Sequence, residues 1–223
     1  PFHPETAGAS GLCPLRHHLP VTILPFNSVV PIQLTCIETT VMLNCKEAKY
    51  SGDGGAVMAT EAEKRMHRCC FTGHRPEKLQ APEGVVTAAL EKEIRQAIAD
   101  GFNVFITGMA RGVDIWAAEI VLRLRDAGEA VRLICACPYQ GFERGWKQSW
   151  QERYQAILSA ADLVRFICPG YSRSCFQRRN EWMVDHAAGV IAVWNGQPSG
   201  TKNTIDYAKL KGIIVQLVLL KGT

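Results

Sequence analysis

Two phosphate-binding signatures are missing from this chain. No GxGxxG follows its first strand-like run, and GxxxxGK[ST] occurs nowhere. The first sets backbone N–H groups on a dinucleotide pyrophosphate and the second cradles ATP phosphates, so their absence argues against an ordinary dehydrogenase or ATPase. Loop-borne CxxC spacing is missing too, although the chain has nine cysteines. Cys69, Cys70, Cys135, Cys137 and Cys168 lie inside apolar, strand-like runs, where cysteine acts as a small hydrophobe. Alternation along a strand puts Cys135 and Cys137 on one face and sets Cys69 and Cys70 on opposite faces. No metal site is expected, and a reducing cytoplasm fits this usage. The formal charge of +4 is too small for a strongly basic nucleic-acid arm, while local contacts to nucleic acid stay open. No apolar stretch is long enough to cross a membrane: Val21 to Cys45 is broken by Pro25, Asn27, Pro31, Gln33 and Glu38. Nor is there the charged start, apolar middle and small-residue cleavage site of a signal peptide.

Periodicity is lacking from Pro1 to about Val57, where Pro4, Pro14, Pro20, Pro25 and Pro31 are scattered and no methionine stands first. Residues 1–65 are therefore expected to form a weakly ordered extension, with the working domain at 66–223 and its start near Met58 or Met66. From His67 onward strands and helices alternate. The pattern predicts strands at Arg68–Gly73, Val104–Ile106, Val131–Cys137, Asp162–Cys168, Val190–Trp194 and Ile213–Leu219. Between them it predicts helices at Glu83–Asp100, Val113–Ala127, from about Trp146 to Ala160, Ser174–His186 and Thr201–Lys211. In the first of these, Val85, Ala89, Ile94 and Ile98 fall near one face. Strands alternating with helices through mostly short connections imply an α/β, Rossmann-like, doubly wound domain whose mainly parallel sheet has helices on both faces. Ligands of such sheets bind beyond the carboxyl ends of the strands.

Three glycine turns fall on that rim. The central one, Thr107-Gly108-Met109-Ala110-Arg111-Gly112-Val113-Asp114, joins a strand to a helix. Gly108 and Gly112 lack Cβ atoms where backbone N–H groups at a helix start can approach an anion, although turn geometry alone would also call for them. Ser199-Gly200-Thr201 opens another helix, either as a phosphate cradle or as an ordinary cap. Thr72-Gly73-His74-Arg75 is the third turn. Together with Arg111, they favour a phosphate-bearing ligand. Arg179 can reach such a ligand from its helix, with Met183 and Trp182 suiting the core and His186 suiting the carbonyls at the helix end. Asp114 suits either the helix dipole or a ribose hydroxyl. The long connection Pro138–Trp146 either covers a ligand or packs, and Trp146 and Trp150, four residues apart, suit both.

The central turn resembles the SG(L/M)ARGID turn of the DprA/Smf DNA-processing proteins. Arg179-Asn180-Glu181-Trp182-Met183, the strand Val190–Trp194 and Ser199-Gly200-Thr201 resemble the RKxxM stretch, strand and PGGxGT loop of the lonely-guy phosphoribohydrolases. Both belong to the SLOG superfamily. The run from Cys69 through Pro76 to Asn203–Ala208 is similar to its YpsA-like branch, often described only as a domain of unknown function. The resemblance implies a nucleotide or nucleotide-derived ligand, including ADP-ribose-like compounds, with Gly108, Gly112, Gly200 and Thr201 near its phosphate and no cofactor required. In the lonely-guy enzymes an arginine of RKxxM works with a glutamate just after GT. Arg179 matches the arginine, but Lys202, Asn203 and Thr204 follow Thr201, so that carboxylate is absent. Turnover would then need another acid, such as Asp114, Glu181 or Asp206.

The leading expectation is a cytoplasmic sensor or adaptor that binds a nucleotide-derived small molecule. The alternative is a nucleoside monophosphate phosphoribohydrolase or nucleosidase with Arg179 and Asp114 as candidate catalytic residues. A third reading is DprA-like single-stranded DNA binding, with Arg75, Arg111, Arg144, Arg173, Arg178 and Arg179 on phosphates and Tyr139, Phe142 and Tyr171 on bases. The resemblance also implies a homodimer; no membrane partner is expected.

Overall fold

The structure, a computed structural model, describes residues 59–218. The weak order expected of the first part therefore lies outside the described residues, except at 59–65. There the structure corrects it: a short helix, α1 (Glu61–Met66), forms behind a capping box. The Thr60 hydroxyl accepts from the Glu63 N–H at 3.3 Å, and the Glu63 carboxylate accepts from the Thr60 N–H at 2.7 Å. Arg65 fastens α1 to the domain by donating to the Ala187 carbonyl at 3.0 Å. None of its residues is buried, so no apolar period announced it. Thr60→Ala should fray α1 by about 1 kcal/mol. Amide exchange at residues 63–66 should accelerate while urea stability of the domain stays unchanged.

Six strands form one all-parallel sheet in the order β4-β3-β2-β1-β5-β6. They are β1 (Arg68–Gly73), β2 (Val104–Thr107), β3 (Arg132–Cys137), β4 (Leu163–Phe166), β5 (Gly189–Val193) and β6 (Ile214–Leu217). Strand alternation divides the apolar side chains between two layers. Cys69, Phe71, Phe105, Leu133, Cys135, Cys137, Ile191 and Val193 face α2 (Glu83–Ala99), α3 (Val113–Asp126) and α4 (Gln148–Ala160). Cys70, Ile106, Ile134, Ala136, Val190 and Ala192 face α5 (Cys175–Asp185) and α6 (Gly200–Leu210). The doubly wound α/β architecture expected from the sequence is thus the one observed. Burial pushes the Cys70 thiol up to about 12 and the Cys137 thiol up to about 11, which keeps them neutral core groups.

Two details differ from the sequence reading. The buried stripe of α2 is Val86, Leu90, Ile94 and Ala97, and Val85 is 38% exposed. Ala89 and Ile98 pack beside that stripe, so the true face is rotated by about one residue from the expected one. The fourth strand is short and lies at the sheet edge, leaving Leu163 and Phe166 half exposed. Cys168 lies beyond it, buried in the following loop.

The order reverses at β1, whose neighbours are β2 and β5. The chain leaves β1 toward α2 on one face and leaves β5 toward α6 on the other. The two loops diverge and open a crevice at the strand ends, the place where doubly wound sheets take ligands.

Candidate functional site

Buried polar residues collect at this crevice: Thr72, His74, Thr107, Asp114, Arg179 and Thr201. Elsewhere the core is mainly apolar, so the cluster marks a place where desolvation is borne for another purpose. Its centre is the turn after β2. Thr107 donates its hydroxyl to the Asp114 carbonyl at 2.8 Å and accepts from the Met109 N–H at 3.3 Å. Met109 takes a left-handed φ of 59°, uncommon for a residue with a side chain. The turn then delivers the Ala110 N–H to Asp114 Oδ2 at 3.2 Å.

Arg179 reaches across from α5 to the same turn. Its Nη1 donates to the Gly108 carbonyl and stands 3.4 Å from Asp114 Oδ2. A Cβ on Gly108 would overlap that Nη1, so the missing side chain is the space the guanidinium occupies. Gly112, at φ +90°, is shaped by a different neighbour: a Cβ there would meet the His74 carbonyl oxygen at 2.7 Å. Gly108 therefore makes room for a side chain from α5, and Gly112 for the close packing of one turn on another. Thr107, Gly108 and Gly112 lie behind the cleft wall rather than on it.

The cleft itself measures about 490 Å³. Thr72, Gly73, His74, Arg75, Arg111, Asp114, Arg179, Ser199, Gly200 and Thr201 line it, bringing together residues from the three glycine turns and α5. Lys78, Ala110, Phe142, Trp146, Phe176, Asn180 and Met183 complete the wall. Phe142 and Trp146 were open to a covering role in the sequence, and Asn180 stood in the stretch that resembles RKxxM without a role of its own; Lys78 and Phe176 carried no signal, since only the fold brings them to the rim. Trp146 lines the cleft, whereas Trp150 packs on Trp116 with ring centres 6.2 Å apart. His186 takes the expected carbonyl contact, its Nδ1 lying 2.7 Å from the Trp182 carbonyl.

Electrostatics distinguish the charged groups. Burial pushes the Asp114 carboxyl up to about 6, opposed by Arg179 and by the Ala110 N–H. Burial also lowers His74 below its usual value, with the Asn195 side chain opposing and Lys78 assisting, which favours the neutral ring. Arg111 is held by Glu77 at 2.7 Å. Ser199 acts as a cap, accepting from the Lys202 N–H at 3.2 Å, while the Gly200 and Thr201 N–H groups have no partner within the helix. Of the acids considered from sequence, Asp114 lines the cleft, Glu181 accepts from Gln177 at 2.9 Å, and Asp206 pairs with Lys202. Among the described residues two buried nitrogens of the cleft side chains have no hydrogen-bond partner: His74 Nε2 and Arg179 Nε.

The family model YpsA, described as the YspA SLOG family, matches residues 69–213. A UPF0398 protein of Shouchella clausii is 28% identical over 147 residues, covering 62% of this chain and 78% of its own length. The SPbeta prophage-derived protein YoqJ of Bacillus subtilis is 32% identical over 117 residues, covering 47% of this chain and 68% of its own. Among solved structures, DNA processing protein A of Streptococcus pneumoniae superposes with a TM-score of 0.50 at 17% identity, over 68% of this chain. The chain spans half the length of that protein, and the likeness is one of fold. Among the described residues no helix is long and apolar enough to cross a membrane.

Proposed function

This chain belongs to the YpsA SLOG family, and on that premise we propose that its cleft binds a nucleotide or nucleotide-derived small molecule, as a sensor or adaptor. The observation that carries the reading is the pair of buried, unpartnered nitrogens in the cleft residues, Arg179 Nε and His74 Nε2. A buried polar nitrogen without a partner costs about 1–3 kcal/mol; a ligand oxygen accepting from Arg179 Nε, and a ligand hydroxyl or oxygen meeting His74 Nε2, would remove that penalty. Around them, Arg75, Lys78 and the first N–H groups of α6 suit a phosphate. Native mass spectrometry of the gently purified full chain, followed by denaturation, should release an intact nucleotide or ADP-ribose-like compound. The reading fails if the chain is empty and titrations with nucleoside phosphates also give no binding.

One observation favours turnover as a second reading. Asp114 supplies the cleft with a carboxyl whose affinity for protons is raised to about 6, near the range useful for general acid–base work. Glycosidic cleavage would use it in place of the carboxylate missing after Thr201. Incubation with a panel of nucleoside monophosphates decides between the two readings: release of free base above a no-protein control selects hydrolysis, and intact nucleotide with measurable affinity selects binding alone.

A further inference from the structure

Polar residues of the cleft wall suit a phosphate, but another part of the wall is aromatic. Phe142 and Trp146 come from the loop after β3, with ring centres 5.0 Å apart, and Phe176 comes from the first turn of α5, 6.4 Å from Phe142. All three line the cleft. Phe142 and Trp146 are backed by Tyr154, at 5.4 and 5.7 Å, which is only 1% exposed and donates its hydroxyl to Cys137 Sγ at 3.2 Å. The wall is therefore braced by the core. Phe176 is nonetheless 37% exposed, and beyond it Tyr139 and Tyr171 extend the same edge-to-face series at 6.2 and 5.8 Å.

Large apolar rings held at a cleft wall and left partly wet favour a ligand that covers them. A bare sugar phosphate offers hydroxyls to such a wall and loses their hydration there. A planar heterocycle offers a face, and base–aromatic stacking is tolerant of which base is presented. The groups suited to an anion, Arg75, Lys78 and the start of α6, belong to other elements.

Resting on the nucleotide reading above, we infer that the wall formed by Phe142, Trp146 and Phe176 is a ring-binding subsite. The ligand is a nucleoside phosphate whose base stacks on this wall while its phosphate lies at the Arg75–Gly200 end. The ring is required for affinity, and the ligand lies in one direction across the cleft.

The test is calorimetric titration of the full chain with AMP, GMP, CMP, UMP and ribose 5-phosphate, using the natural chain, Phe176→Ala and Phe176→Leu. The nucleotide that binds should exceed ribose 5-phosphate by at least about tenfold, the scale of one stacking contact. Phe176→Ala should weaken that nucleotide by about tenfold and leave ribose 5-phosphate unchanged, while Phe176→Leu, which keeps bulk without an aromatic face, should also weaken it. If ribose 5-phosphate binds as tightly as every nucleotide, or Phe176→Ala weakens both alike, the ring subsite is overturned while the phosphate reading stands. If neither class binds, the ring subsite is overturned, and the nucleotide reading falls with it when the purified chain is also empty. Binding confined to an oligonucleotide would also overturn the subsite.

Discussion

Arg179→Met should abolish ligand binding and destabilise the protein by about 3–5 kcal/mol, because it leaves the buried Asp114 carboxylate without its countercharge. The loss should depend on pH in a direction fixed by Asp114. Its folded pKa of about 6 lies above the ordinary 3.8, so the folded protein holds that proton more tightly than the unfolded chain. Its contribution to stability is complete below about pH 4 and is lost as pH rises to about 6, roughly 3 kcal/mol by linkage. Glu61, Glu77 and Glu91, lowered by hydrogen bonds and by arginine partners, act in the opposite direction at lower pH, but they are more exposed and better screened.

Without the guanidinium, the Asp114 carboxyl rises further and the loss extends to higher pH. The stability gap between natural chain and Arg179→Met, measured by urea unfolding, should therefore widen from pH 5 to pH 8. A gap of constant size would show that Arg179 and Asp114 are not coupled. The double variant Asp114→Asn with Arg179→Met removes both charges. It should regain most of the lost stability and flatten the gap while still failing to bind, which separates the cost of an orphaned charge from the loss of a ligand contact.

The sheet, its parallel sense and the loops at its rim were legible because apolar runs alternate regularly with helical stripes after His67 and glycines punctuate the joins. The cleft residues of the three glycine turns were legible for the same reason: strand ends in a parallel sheet share one rim, so a turn located in sequence is also located in space. What escaped was set by contacts between distant segments. Lys78 and Phe176 become cleft residues only when the order reverses at β1 and α5 swings across. The packing of Gly108 against Arg179, seventy-one positions later, could not be read from either the glycine turn or the arginine alone. Helix α1 was missed because its support is a capping box and Arg65 rather than a buried face.

A glycine series should separate the residues that build the cleft from those that touch its ligand. In Gly108→Ala the new Cβ would overlap Arg179 Nη1 and stand 2.8 Å from Asp114 Oδ2, both on buried side chains. The guanidinium must leave the Gly108 carbonyl, so binding should be lost, while the flexible arginine tip can move and holds the stability cost to about 1 kcal/mol, below that of Arg179→Met. Gly112→Ala adds a strained φ of +90° to a 2.7 Å clash with the His74 carbonyl oxygen, and here the neighbour is backbone, which cannot swing aside. It should cost about 1–3 kcal/mol and weaken binding through the displaced His74 turn. Gly200→Ala is the informative contrast. Nothing lies within 4 Å of its added Cβ, and the residue stands in the first turn of α6, so stability should hold or rise by about 0.5 kcal/mol. A phosphate drawn close to the Gly200 N–H would meet that methyl, and affinity should fall by at least about tenfold, the worth of one charge-assisted hydrogen bond. Calorimetric titration beside urea unfolding reads both quantities. Affinity lost without stability at Gly200 places the anion at the start of α6; unchanged affinity there would move it to Arg75 and Lys78 alone.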